Sequence, residues 1–203
     1  MAEQDFGPAA TLSQFQKPDK AESTGLCCGL FKRKKKAAFQ QTLVLLRHSE
    51  RQDYVDKTYK ESEEGKKWPH DAPLTAVGWA LAKEHAEELA ELHSTAQFAA
   101  VSTSPYRRCM ETAAVVAARL KLPLIIDQEM GEIWEKKMGD EKLPWRSSVE
   151  LRKMAKDLKV KKLANPVQED GSLKLFGKLP SFPESLDKGR KRYLVRTEHY
   201  IHR

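Results

Sequence analysis

The run Leu43-Val44-Leu45-Leu46 constrains this chain most, because four apolar residues lead without a break into Arg47-His48-Ser49-Glu50-Arg51. A short apolar run of β-forming residues predicts a buried strand. In open α/β sheets, ligands gather at the carboxyl ends of strands. Guanidinium groups give bidentate, charge-assisted hydrogen bonds to phosphate or carboxylate, and a neutral imidazole between them can act as nucleophile or base. The cluster therefore predicts an anion site with a reactive group inside it; a solvated strand end is the bland alternative.

A second stretch, Val101-Ser102-Thr103-Ser104-Pro105-Tyr106-Arg107-Arg108-Cys109-Met110-Glu111-Thr112-Ala113, strengthens the first reading. Residues 98–103 predict another short strand, Ser104 suits an N-cap, Pro105 suits the first helical position, and residues 112–120 continue as an alanine-rich helix. Free amides and the positive dipole end at such a helix start favour an anion, to which Arg108 in the first turn adds its charge. Consecutive helical residues point about 100° apart, so only one of Arg107 and Arg108 is expected to face the site.

Residues 1–40 mix Gln, Lys, Pro, Ser and small residues without periodicity and are expected to form a flexible basic arm before a domain over residues 41–203. Within the polar stretch 52–71, Tyr54, Tyr59 and Trp68 are candidates for a substrate wall or a packed lid. Residues 74–92 predict an amphipathic helix with Thr75 near its start and Leu81, His85, Leu89 and Leu92 at helical spacing. His85 and His93 read as helix-flank residues rather than ligands. Residues 123–126 predict a third strand, residues 147–163 a charged helix, and residues 165–183 a loop. Strands alternating with helices give an α/β sandwich with a mainly parallel sheet.

Three segments carry a family resemblance. Arg47-His48-Ser49-Glu50-Arg51 resembles the R-H-G-E-R signature of the histidine phosphatase, or phosphoglycerate mutase-like, superfamily. Asp71-Ala72-Pro73-Leu74-Thr75-Ala76-Val77-Gly78 resembles that family's D-x-P-L-T-x-x-G element, and residues 104–113 resemble its S-P-x-x-R-C-x-x-T-A element. The wording is most similar to the eukaryotic branch that includes the phosphatase domains of the ubiquitin-associated and SH3-containing regulators. The resemblance implies a three-layer α/β/α sandwich of the phosphoglycerate mutase-like kind.

It also implies roles. His48 matches the nucleophile that accepts the phosphoryl group, and Arg47, Arg51 and Arg108 match clamps on that group. Glu132 matches the acid that protonates the leaving oxygen, with Glu129 and Glu135 as rivals nearby. Ser49 stands where the family usually has glycine, so its hydroxyl is expected either to narrow the pocket or to donate a hydrogen bond. Such catalysis rests on positioning and on preorganised positive donors, which three arginines supply, so no metal or cofactor is called for. The family's later strand ending in a second histidine is not matched. Phe182-Pro183-Glu184-Ser185-Leu186 resembles the start of the helix that precedes it, and the chain then reaches Arg203, so the domain is expected to be incomplete at its C-terminus with an uncovered sheet edge. His199 and His202 follow no apolar run and are expected at the surface.

Composition bounds the rest. A length of 203 residues with 40 % hydrophobic residues fits one domain, and three cysteines, two adjacent, make no disulfide framework and point to a reducing, cytoplasmic compartment. No apolar run is long enough to span a bilayer, and no signal-peptide pattern is read in residues 1–18. The net charge of +7 is uneven: Lys32-Arg33-Lys34-Lys35-Lys36 forms one cluster and Lys188, Arg190, Lys191 and Arg192 another, with no nucleic-acid module around them. Cys27 and Cys28 beside Leu30, Phe31 and the first cluster form a candidate S-palmitoylation site with support from anionic lipids, against a nuclear-import signal or an inert linker as alternatives. The functional classes left open are a metal-independent phosphomonoester hydrolase acting on a phosphorylated small molecule or phosphoprotein, a phosphate-binding module without turnover, and a mutase-type phosphotransferase.

Overall fold

The computed structural model describes residues 41–136 and 145–201. The chain divides after Leu46 into two units. In the first, residues 41–46 form no strand, and Leu43, Leu45 and Leu46 are exposed. The strand expected over residues 43–46 is thereby corrected. A strand exists only as a member of a hydrogen-bonded ladder, and none of the ladders among the described residues includes these four. Cys27, Cys28, the basic run 32–36 and His202 lie outside the described residues.

The second unit begins at Arg47. Its elements are α1 (Gln52–Val55), a 3₁₀ turn (Tyr59–Glu61), α2 (Glu63–Lys67), α3 (Ala76–Ala96), β1 (Val101–Thr103), α4 (Arg107–Leu120), β2 (Leu124–Ile126), a 3₁₀ turn (Gln128–Met130), α5 (Ser148–Asp157) and α6 (Leu186–Ile201). β1 and β2 pair in parallel, Val101 opposite Leu124, with α4 as the crossover. Single bridges from Leu124 to Leu163 and from Asp127 to Phe176 continue the pairing beyond β2. Asn165, buried, substitutes for a strand residue there: its Oδ1 accepts from the Ile126 amide at 2.7 Å and its Nδ2 donates to the Ile126 carbonyl at 2.9 Å.

α4 is the hub of the core because its alanine-rich face lets neighbours approach closely. Met110, Ala113 and Ala117 pack with Leu124, Ile126, Leu151, Ala155 and Leu173, while Val116 and Leu120 meet Ala86 of α3. The buried face of α3 is Gly78, Ala82 and Ala86. Leu81, His85, Leu89 and Leu92, the residues noted at helical spacing, are half-buried at its flanks. α5 is shorter than the helix expected over residues 147–163; a Ser147–Glu150 capping box starts it, and Lys159 at a φ of 56° follows its end. α6 docks through polar groups. Arg196 Nε and Tyr200 Oη both donate to the fully buried Asp127, the latter at 2.5 Å, and Tyr193 Oη donates to the Gly131 carbonyl at 2.7 Å. Among the described residues, no helix is long and apolar enough to cross a membrane.

Candidate active site

His48 is held by what its own segment does against the start of α3. Ser49 Oγ donates to the Gly78 carbonyl at 2.6 Å, which settles the serine's role: its hydroxyl is turned onto α3 as a donor. Glu50 is fixed twice by Thr75, whose amide donates to the Glu50 carbonyl at 3.1 Å and whose hydroxyl donates to its carboxylate at 2.5 Å. Arg51 bridges Leu74, and the Gln52 amide donates to the Pro73 carbonyl at 2.9 Å. Thr75 is also the N-cap of α3, accepting from Gly78 at 2.9 Å. Gly78 is required for this approach, because a Cβ there would stand less than 3.0 Å from the Glu50 carbonyl oxygen.

The His48 ring is half-buried, and its Nδ1 lies 2.8 Å from the Ser49 carbonyl. A carbonyl can only accept, so Nδ1 carries the proton and Nε2 keeps its lone pair. Burial pushes the His48 pKa down to about 4; the Ser49 bond opposes this, and the charges of Arg108, Arg47 and Arg51 add to it. The imidazole is therefore neutral at pH 7.

The three arginines are positioned differently. Arg47 is exposed. Arg51 is gripped by Asp53 through Nε at 2.9 Å and Nη2 at 2.5 Å, and its guanidinium lies 4.4 Å from the centre of the Tyr54 ring. Arg108 is buried: Nη1 donates to the His70 carbonyl at 3.1 Å, Nη2 to Glu132 at 2.8 Å, and its guanidinium stacks 4.3 Å from the Tyr106 ring centre. Its Nε is buried with no partner among the described residues. Arg107 turns the other way, to Glu64 and, at 2.9 Å, to Glu111, so one of the adjacent pair faces the site. Glu132 is the acid on Arg108, whereas Glu129 pairs with Arg196 at 3.5 Å, and Glu135 lines a groove with Pro183, Glu184 and Lys188.

One expectation is overturned. The start of α4 is not open to an external anion at its first amide, because Asp71 accepts from the Arg107 N–H at 2.5 Å. The N-cap position is Tyr106, not Ser104, which instead accepts from the Tyr106 amide at 3.3 Å. Asp71 is buried between that amide and Arg146 Nε, also at 2.5 Å; burial raises its pKa and Arg146 opposes the rise. Arg146 in turn stacks 4.5 Å from the Trp68 ring centre, and Tyr59 is buried too. Of the three aromatic residues considered as a wall or lid, Tyr54 alone stands on a site arginine.

Sequence reasoning passed over His70, the residue before the Asp71 element. Its carbonyl holds Arg108, and its ring packs edge-on to Trp134, with centroids 4.5 Å apart. The available signal was adjacency to a site motif. His199 lies half-buried on α6 against Tyr200, and His93 closes the end of α3 by accepting from the Phe98 amide at 2.9 Å.

A neutral imidazole in the field of three arginines, in a chain whose β1-α4-β2 unit has parallel strands, defines an α/β protein with a candidate anion site. The chain belongs to the histidine phosphatase superfamily (branch 1), whose family model matches residues 43–154. It is 40 % identical over 72 residues to an uncharacterised phosphoglycerate mutase family protein of Acanthamoeba polyphaga mimivirus, covering 36 % of this chain and 34 % of that protein. Its fold is similar to the crystal structure of the ecdysone phosphate phosphatase from Bombix mori in complex with tungstate. That match has a TM-score of 0.59 and 16 % identity, over 76 % of this chain and 64 % of that one. The chain thus spans about a third of the viral relative and 64 % of the insect phosphatase.

Proposed function

We propose that this protein is a metal-independent phosphomonoester hydrolase working through a phosphohistidine on His48. The observation that carries the reading is the neutral His48, Nδ1–H on the Ser49 carbonyl and Nε2 free, within the field of Arg47, Arg51 and Arg108. Nε2 attacks phosphorus, the ester P–O bond breaks, and the leaving oxygen takes a proton from Glu132. Water then attacks phosphorus, the P–N bond breaks with its electron pair returning to Nε2, and Glu132 takes the water proton as inorganic phosphate leaves.

The ligand-free arginines are neutralised internally, Arg51 by Asp53 and Arg108 by Glu132. An incoming phosphoryl group competes with those carboxylates. Released from Arg108, Glu132 stands beside the bound phosphoryl group as the acid proposed for the leaving oxygen. The same ion pair favours a second reading, phosphate binding without turnover, because it keeps Glu132 engaged with Arg108. Hydrolysis of a generic aryl phosphate decides between them: wild type turns over and His48→Ala does not, whereas equal background rates reject the hydrolase.

The substrate class is a phosphorylated small molecule or phosphoprotein, and the motif wording points to the branch of the ubiquitin-associated and SH3-containing regulators. We further propose a cytoplasmic protein tethered to anionic membrane by acylation at Cys27 and Cys28 with the basic run 32–36, against an import signal or an inert linker. Two acyl chains, or one with a basic patch, suffice for stable anchoring. Cell fractionation of the Cys27→Ser, Cys28→Ser double variant tests the tether; unchanged membrane association rejects it.

A further inference from the structure

His70 touches Arg108 through its carbonyl and Trp134 through its ring, yet no step above uses it. Its carbonyl oxygen accepts from Arg108 Nη1 at 3.1 Å, and its ring stands edge-on to Trp134, two residues beyond Glu132. The charged groups that act on the ring are Lys60 from the 3₁₀ turn, Arg51 and Asp53 from the His48 segment, and Glu132 from the opposite wall. The ring is half-buried, and neither nitrogen has a hydrogen-bond partner among the described residues.

Several neighbouring donors and acceptors here are already engaged. Asp53 holds Arg51 with both oxygens, Glu132 holds Arg108, Tyr54 Oη accepts from Arg51 at 3.2 Å, and Glu50 accepts from Thr75 at 2.5 Å. His48 must keep Nε2 for attack. His70 is thus a group of this cluster with an uncommitted N–H, as are Arg108 at Nε and Trp134 at Nε1, and its position is fixed from two sides, by the Arg108 bond on its backbone and the Trp134 contact on its ring.

We propose that His70 is a further phosphate-binding residue of the site, its ring N–H donating to a non-bridging oxygen of the phosphoryl group held by Arg108 and Arg51. The inference rests on the hydrolase reading and adds a donor to it. Burial and the Lys60 and Arg51 charges lower the ring's pKa, so the donor at pH 7 is the neutral imidazole. Its role is orientation of the phosphoryl group rather than added charge.

The test measures the affinity of the whole protein for inorganic phosphate by calorimetry, in wild type, His70→Phe, His70→Gln and His48→Ala. Phenylalanine keeps a ring against Trp134 without a donor, and glutamine restores an N–H. One neutral hydrogen bond corresponds to about a fivefold change in affinity, so His70→Phe is expected to bind phosphate about fivefold more weakly and His70→Gln to recover most of that loss. Addition of phosphate is expected to shift the His70 ring nitrogen resonances in His48→Ala as in wild type. Unchanged affinity in a folded His70→Phe, or ring resonances indifferent to phosphate, overturns the inference and leaves the hydrolase reading standing. A wild type that neither binds phosphate nor hydrolyses aryl phosphate overturns both.

Discussion

Replacing Gly78 with alanine adds one methyl group where the His48 segment lies on α3. Gly78 is the third residue of that helix, and in a free helix alanine would stabilise it by up to about 1 kcal/mol. Here the new Cβ would meet the Glu50 carbonyl oxygen at less than 3.0 Å, with Leu74 Cβ at 3.2 Å and Ser49 Oγ at 3.3 Å. Backbone cannot rotate aside as a side-chain tip can, so the segment must retreat. Overpacking of this kind costs about 1–3 kcal/mol, which exceeds the propensity gain and leaves a net loss of about 1 kcal/mol. The effect on rate is larger. Glu50 is two residues from His48, and the Ser49 hydroxyl bonds the Gly78 carbonyl at 2.6 Å. A displacement approaching 1 Å at a nucleophile costs about a hundredfold, so kcat/KM for an aryl phosphate is expected to fall by about ten- to a hundredfold. The assay is steady-state hydrolysis corrected for the folded fraction from urea titration. A Gly78→Ala protein with wild-type kcat/KM refutes the claim that this contact positions His48.

Two further outcomes follow from the same geometry. Because the folded His48 titrates near 4, below the ordinary 6.5, its neutral form persists as pH falls to about 5. An NMR titration of its ring should therefore show a midpoint well below 6; a midpoint at 6.5 contradicts the buried, cation-flanked placement. The unfolded chain takes up that proton at a higher pH than the folded one, so this group lowers stability as pH drops from about 6.5 towards 4. Arg196→Ala strands the fully buried Asp127 carboxylate beneath α6. Removing one partner of a buried pair costs about 3–5 kcal/mol, so the urea midpoint should drop sharply while KM of the folded fraction stays unchanged.

The grouping of the candidate site residues was legible because it is carried by residue types at fixed spacing. Arg47, His48, Arg51 and Arg108 are picked out as candidates without coordinates; helical angle gave that only one of Arg107 and Arg108 faces the site, and the motif resemblance chose Arg108. What escaped is non-local. Asp71 caps α4 across 36 residues and Glu50 meets Thr75 across 25, so the D-x-P-L-T element reads as a motif before it reads as a brace. A strand is likewise a property of its partners, which is why residues 43–46, β-like in composition, form none. Helical spacing marked Leu81, Leu89 and Leu92 on α3, but it did not mark the buried face, where close packing on α4 selects Gly78, Ala82 and Ala86. His70 sits in no periodic pattern, and only its carbonyl bond to Arg108 and its contact with Trp134 bring it into view.

The most direct test of the central claim is a rapid acid-free quench of the protein during aryl phosphate turnover, followed by intact-mass and peptide analysis. One phosphoryl group on His48, stable to alkali, labile to acid and absent from His48→Ala, is the predicted result. Turnover that proceeds with no phosphoryl group on His48, or that survives His48→Ala at the wild-type rate, contradicts the account.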